Sequence, residues 1–120
     1  MEDDFTLDYT SEKRPDGTIL VIGKIRGKVA PTTVLRFEEE VNALFDQGTR
    51  HIIFDCSGLE YMNSTGTGLM VKLMDKFEAA GGTMQMVNIP KNIRDLMDVL
   101  GLLDVFKVKA TLAEAKASLN

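Results

Sequence analysis

The stretch from His51 to Leu69 reads His-Ile-Ile-Phe-Asp-Cys-Ser-Gly-Leu-Glu-Tyr-Met-Asn-Ser-Thr-Gly-Thr-Gly-Leu, and it decides the fold. His51-Ile52-Ile53-Phe54-Asp55 is a short apolar run ending in an acid, the look of a buried parallel strand. The polar, glycine-rich turn Asn63-Ser64-Thr65-Gly66-Thr67-Gly68 follows. Leu69, Leu73, Met74, Phe77 and Ala80 then mark one face of a helix. A buried strand leading through a polar turn into a helix is the repeating unit of an α/β sheet. In such sheets, ligands and partners meet the loops beyond the carboxyl ends of the strands.

The same alternation extends on both sides. Upstream, residues 5–10 suggest a short strand, and Arg14-Pro15-Asp16-Gly17 has the chemistry of a tight turn. Thr18 to Gly27 reads as a β-branched strand, so the first two strands form an antiparallel hairpin. Pro31 opens a helix striped by Val34, Phe37, Val41, Leu44 and Phe45, with Gly48 just past its end. Downstream, Gly81-Gly82 stops the second helix, and Thr83 to Val87 is the next strand. Pro90 begins a third helix carrying Ile93, Leu96, Met97 and Leu100, which Gly101 ends. Val105 to Val108 reads as a last strand, and Thr111-Leu112-Ala113-Glu114 as a capping box for a terminal helix. The expectation is one α/β domain over residues 1–120: a mixed, mostly parallel sheet, an N-terminal antiparallel hairpin and about four helices.

Composition narrows the function. Fourteen Lys and Arg against eighteen Asp and Glu give a net charge of −4, which makes nucleic acid an unfavourable main partner. A single Cys, Cys56, excludes an internal disulfide and a Cys-cluster metal site, and a single His, His51, excludes a His pair. No apolar run is long enough for a membrane span. Met1-Glu2-Asp3-Asp4 is acidic where a signal peptide is basic, so a cytoplasmic protein is expected. His51 has no Asp or Ser partner apparent in sequence, and the Gly66-Thr67-Gly68 turn lacks the Lys of a P-loop. Neither metal, cofactor nor catalysis is expected.

The turn itself carries the information. A helix N-terminus offers unpaired N–H groups and about half a positive charge. Ser64 or Thr65 can cap those donors, and either hydroxyl can carry a phosphate there. Gly66 and Gly68 remove side chains from the first turns, either for close packing on the sheet or for close approach of another molecule. Asp55 is expected to accept hydrogen bonds from loop N–H groups, and Cys56 to be a small buried residue. Glu38, Glu39 and Glu40 read as a solvated helix face.

The segment resembles the signature of STAS domains, above all the bacterial anti-sigma factor antagonists. The match is carried by Asp55-x-Ser57 and then Met62-Asn63-Ser64-Thr65-Gly66-Thr67-Gly68-Leu69. The hairpin, Gly81-Gly82, Val87-Asn88-Ile89-Pro90, Leu100-Gly101-Leu102 and Phe106 extend it over essentially the whole chain. The resemblance implies a non-enzymatic switch. The unphosphorylated domain binds a serine kinase that doubles as an anti-sigma factor, releasing the sigma factor. Phosphorylation ends that binding, and a serine phosphatase restores it. By position the acceptor is Ser64, with Met62, Asn63, Thr65, Gly66 and Thr67 around it as the partner-binding loop and Asp55 and Ser57 as its supports. Two positions depart from the family pattern: Asn63 stands where Asp is usual, and the loop after the second strand reads Gly27-Lys28-Val29-Ala30 without an acid. A scaffold subunit of a signalling or transporter assembly, never phosphorylated, and a nucleotide-binding STAS domain are the alternatives.

Overall fold

The computed structural model describes residues 5–119, and the acidic start read as arguing against a signal peptide lies outside them. Nine elements follow in the order β1 (Phe5–Lys13), β2 (Ile19–Val29), α1 (Val34–Asp46), β3 (Thr49–Met62), α2 (Ser64–Ala79), β4 (Thr83–Val87), α3 (Lys91–Val99), β5 (Val108–Lys109) and α4 (Leu112–Ala117). One five-stranded sheet has the order β1-β2-β3-β4-β5, with β1–β2 antiparallel and the other three pairs parallel. The expected α/β architecture is thus present, and only its boundaries shift.

The hairpin closes as its residues dictate. Gly17 has φ of 90°, its N–H donates to Arg14 O at 2.8 Å, and Arg14 N–H donates to Thr18 O at 2.8 Å. Asp16 Oδ1 fixes the exit by accepting the Thr18 N–H at 2.9 Å and its hydroxyl at 2.6 Å. Both strands run longer than their apolar residues suggested, because β1 is an exposed edge that tolerates Thr10, Ser11, Glu12 and Lys13.

The sheet buries one face against α1, α2 and α3. Phe37 and Val41, Leu73 and Phe77, and Ile93 and Met97 form one cluster with Val21, Ile25, Ile52 and Phe54. The short α4 covers only part of the other face, packing Ala115 over Leu20, Ile53 and Val87. Pro31 does not open α1, which begins three residues later. Thr33 instead turns the chain: its hydroxyl donates to Lys28 O at 2.6 Å and accepts the Ala30 N–H at 3.0 Å. The last strand is Val108–Lys109 rather than Val105 to Val108, while Phe106 is buried beneath it in the main cluster.

The largest difference lies in β3. It does not stop at Asp55 but continues to Met62, beyond the end of β4, paired there with β2 alone. Two bulges make this possible. Lys24 pairs with Asp55 and Arg26 with Gly58, so β3 carries an extra residue between them; Gly27 pairs with Leu59 and Lys28 with Tyr61, so Glu60 is a second extra. The inward side chains are consequently Cys56, Leu59 and Met62, spaced by three instead of two.

Candidate functional site

The end of β3 delivers the chain directly into α2. Asn63 is the N-cap: its backbone is extended, and its Oδ1 accepts the Gly66 N–H at 2.9 Å. Neither Ser64 nor Thr65 caps the helix, because the amide one residue earlier already holds that donor. Both side chains point outward, and their residues are exposed. Among the described residues neither hydroxyl has a hydrogen-bond partner in the fold. The first turn of α2 holds no acidic residue.

Three expected contact residues face inward. Met62 and Thr67 are buried, and the Thr67 hydroxyl donates to Asn63 O at 3.0 Å, closing the cap from below. Gly66 is buried too. A Cβ there would stand 2.9 Å from Val29 Cγ1, 3.0 Å from Met62 Cγ and 3.2 Å from Val29 O. This glycine is a packing device seating α2 on the end of β2, whereas a Cβ at the exposed Gly68 would meet nothing within 4 Å. The loop therefore presents Asn63, Ser64 and Thr65, and it is supported by Met62, Gly66 and Thr67.

Asp55 braces the first bulge. Its Oδ1 accepts the Ser57 N–H at 3.0 Å and the Asn88 side-chain amide at 3.2 Å, tying β3 to the turn after β4. Asn88 takes a φ of 56°, as a short amide side chain at a turn can. Partial burial alone would raise the Asp55 carboxyl; the hydrogen bonds from Ser57 and Asn88, with Lys24 nearby, outweigh it and hold the group below its ordinary value. Ser57 itself is exposed and serves through its backbone N–H first, with its side chain also holding the Asp55 carboxyl down. Cys56 is fully buried, and burial pushes its thiol far up, which disfavours the thiolate. His51 is buried with Nδ1 2.9 Å from Thr83 Oγ1, far from the α2 N-terminus at the opposite end of β3.

A cleft that the sequence did not reveal opens beside the loop. It measures about 530 Å³ and is lined by Lys28, Ala30, Pro31, Glu60 and Tyr61. Among the described residues no group of three or more His, Cys, Asp and Glu side chains is placed to hold a metal ion. Among them, too, no helix is long and apolar enough to cross a membrane.

Residues 10–115 match the STAS domain family. The chain belongs to that family. This STAS domain is 28% identical over 85 residues to the anti-sigma-B factor antagonist of Staphylococcus aureus, covering 71% of this chain and 79% of that one. Its fold superposes on the anti-sigma factor antagonist SpoIIAA in its unphosphorylated form with a TM-score of 0.77 and 23% identity, covering 97% of this chain and 96% of that one. The phosphorylated form of the Bacillus cell fate determinant SpoIIAA superposes with a TM-score of 0.69 and 23% identity, covering 98% and 100% of the two chains.

Proposed function

We propose that this STAS domain is an anti-sigma factor antagonist, switched off by phosphorylation of Ser64. In this reading the unphosphorylated domain binds a serine kinase that is itself an anti-sigma factor, and a serine phosphatase resets the switch. The observation that carries it is the Ser64 hydroxyl. It is exposed at the first residue of α2, makes no hydrogen bond among the described residues, and stands beside a cap made by the Asn63 side chain. The names of the relatives, and the existence of one of them in phosphorylated form, support the same reading.

The physics of a switch follows. A phosphate adds about −1.5 to −2 charge and three acceptor oxygens. At a helix N-terminus the dipole favours an anion by roughly 0.3–1 kcal/mol, so the domain keeps its fold. The partner bears the effect instead. An interface closed over Ser64 would bury a dianion without a matched cation, at a cost of several kcal/mol. A loss of about 4 kcal/mol weakens binding roughly a thousandfold.

The test is intact mass after incubation with ATP and the candidate serine kinase from the native cell, followed by peptide mapping. One added phosphate, mapped to Ser64 and lost in Ser64→Ala, supports the switch. A phosphate on Thr65 moves the acceptor by one residue. No phosphate with any kinase that binds the chain leaves a scaffold role.

A further inference from the structure

The second bulge of β3 has a local consequence beside Ser64. In a regular strand Glu60 and Tyr61 would face opposite sides of the sheet. As the extra residue between the Gly27–Leu59 and Lys28–Tyr61 pairs, Glu60 breaks the alternation; both residues are exposed, and both line one cleft with Lys28, Ala30 and Pro31. Bulges recur where a strand must re-aim a side chain at a functional edge. Tyr61 is 45% exposed. The Glu60 carboxylate has no ion pair or hydrogen bond among the described residues, while its backbone carbonyl accepts from the Asn92 side-chain amide at 3.4 Å. The cleft thus combines an aromatic wall with an uncommitted carboxylate, on the strand end that leads into Ser64.

We propose that this cleft receives an arginine side chain of the serine kinase that acts on Ser64, an inference that rests on the reading above. A guanidinium pairs with a carboxylate through two parallel N–H donors and stacks its plane on an aromatic ring. A lysine ammonium meets only the charge requirement and is more strongly hydrated. Lys28 lines the same cleft, and its positive charge opposes a second cation beside it, so the guest sits against Glu60 and Tyr61. The net charge of −4 favours approach of a basic surface. Seated there, the arginine sets the orientation of the kinase on the acceptor loop without touching the hydroxyl.

The experiment measures affinity by titration calorimetry at low and high salt, using the purified kinase that phosphorylates Ser64 in the mass assay. Glu60→Gln should melt as wild type does, bind about tenfold more weakly at low salt, and lose most of the salt dependence. Tyr61→Ala should weaken binding at both salt concentrations, and Glu60→Lys should weaken it more than Glu60→Gln. Replacing the kinase arginine by Ala should make Glu60→Gln silent, which identifies the pair. If Glu60→Gln binds with wild-type affinity and salt dependence while Ser64→Asp binds poorly, the cleft proposal falls and the switch stands. If no kinase phosphorylates Ser64 and Ser64→Asp binds every partner as wild type does, both fall.

Discussion

The amide oxygen of Asn63 accepts the N–H of Gly66 at 2.9 Å, and this bond leaves the Ser64 hydroxyl outside the helix cap. A serine that capped its own helix would give up that bond on modification. Here the capping task belongs to a neighbour, so Ser64 can change its chemistry without disturbing α2. The same division explains how an amide serves where the family usually has a carboxylate: the cap needs an acceptor oxygen, and both groups supply one.

Asn63→Ala should therefore lower stability by about 1 kcal/mol, the usual cost of deleting a side-chain cap. Asn63→Asp should match wild type or exceed it by roughly 0.3–1 kcal/mol, since the acceptor is kept and a negative charge joins the N-terminus. Urea unfolding at neutral pH measures both. An unaffected Asn63→Ala would mean that the Thr67 bond to Asn63 O suffices to start the helix.

Ser64→Asp and Ser64→Ala should both fold, with melting temperatures within a few degrees of wild type, because the hydroxyl has no partner to lose among the described residues. Thermal melts followed by circular dichroism check this before any binding experiment is interpreted. A large drop for Ser64→Asp would make loss of binding a folding effect and remove the basis of the switch.

Three glycines should respond with different signs. Gly68→Ala meets nothing within 4 Å in a helix interior and should stabilise by roughly 0.5–1 kcal/mol. Gly66→Val must push into Val29 and Met62 and should cost about 1–3 kcal/mol. Gly82→Ala should be the most damaging, because its Cβ would lie 1.7 Å from Arg50 O, a backbone atom of β3 that cannot move aside. Chemical denaturation ranks the three, and a tolerated Gly82→Ala would contradict the packing of β3 on the α2–β4 turn.

The sequence made the helices legible because their apolar residues recur at three and four, as at Phe37, Val41 and Leu44 on α1. The hairpin was legible from Pro15, Asp16 and Gly17, whose turn chemistry is local. The site was legible only in outline. The apolar run of β3 ends at Asp55, and the inward residues beyond it fall at Cys56, Leu59 and Met62, a spacing that mimics loop or helix and results from two bulges. A bulge is a relation between two strands, so one strand's pattern cannot show it. The inward seat of Met62 and the cleft at Glu60 and Tyr61 are hidden for the same reason, whereas the packing role of Gly66 is one of the two its sequence allows.

Acid should loosen the molecule at two separate places. Asp55 titrates below its ordinary value, so its hydrogen bonds to Ser57 and Asn88 contribute stability above about pH 4. That contribution falls away as pH drops through the folded-state value. His51 is also depressed, by burial first and by Arg14 second, with Asp16 opposing. A buried neutral imidazole that must take a proton in the unfolded chain removes stability as pH falls below about 6.5, and nothing further is gained above it. Denaturation midpoints between pH 3 and 8 should thus decline in two steps as pH falls. His51→Gln should erase the upper step and leave the lower. Asp55→Asn should shrink the lower step and leave the upper, while lowering stability at neutral pH because the charged acceptor is lost. A single step, unchanged by either substitution, would place the acid sensitivity in other carboxylates and leave Asp55 without its bracing role in the bulge that carries β3 to Ser64.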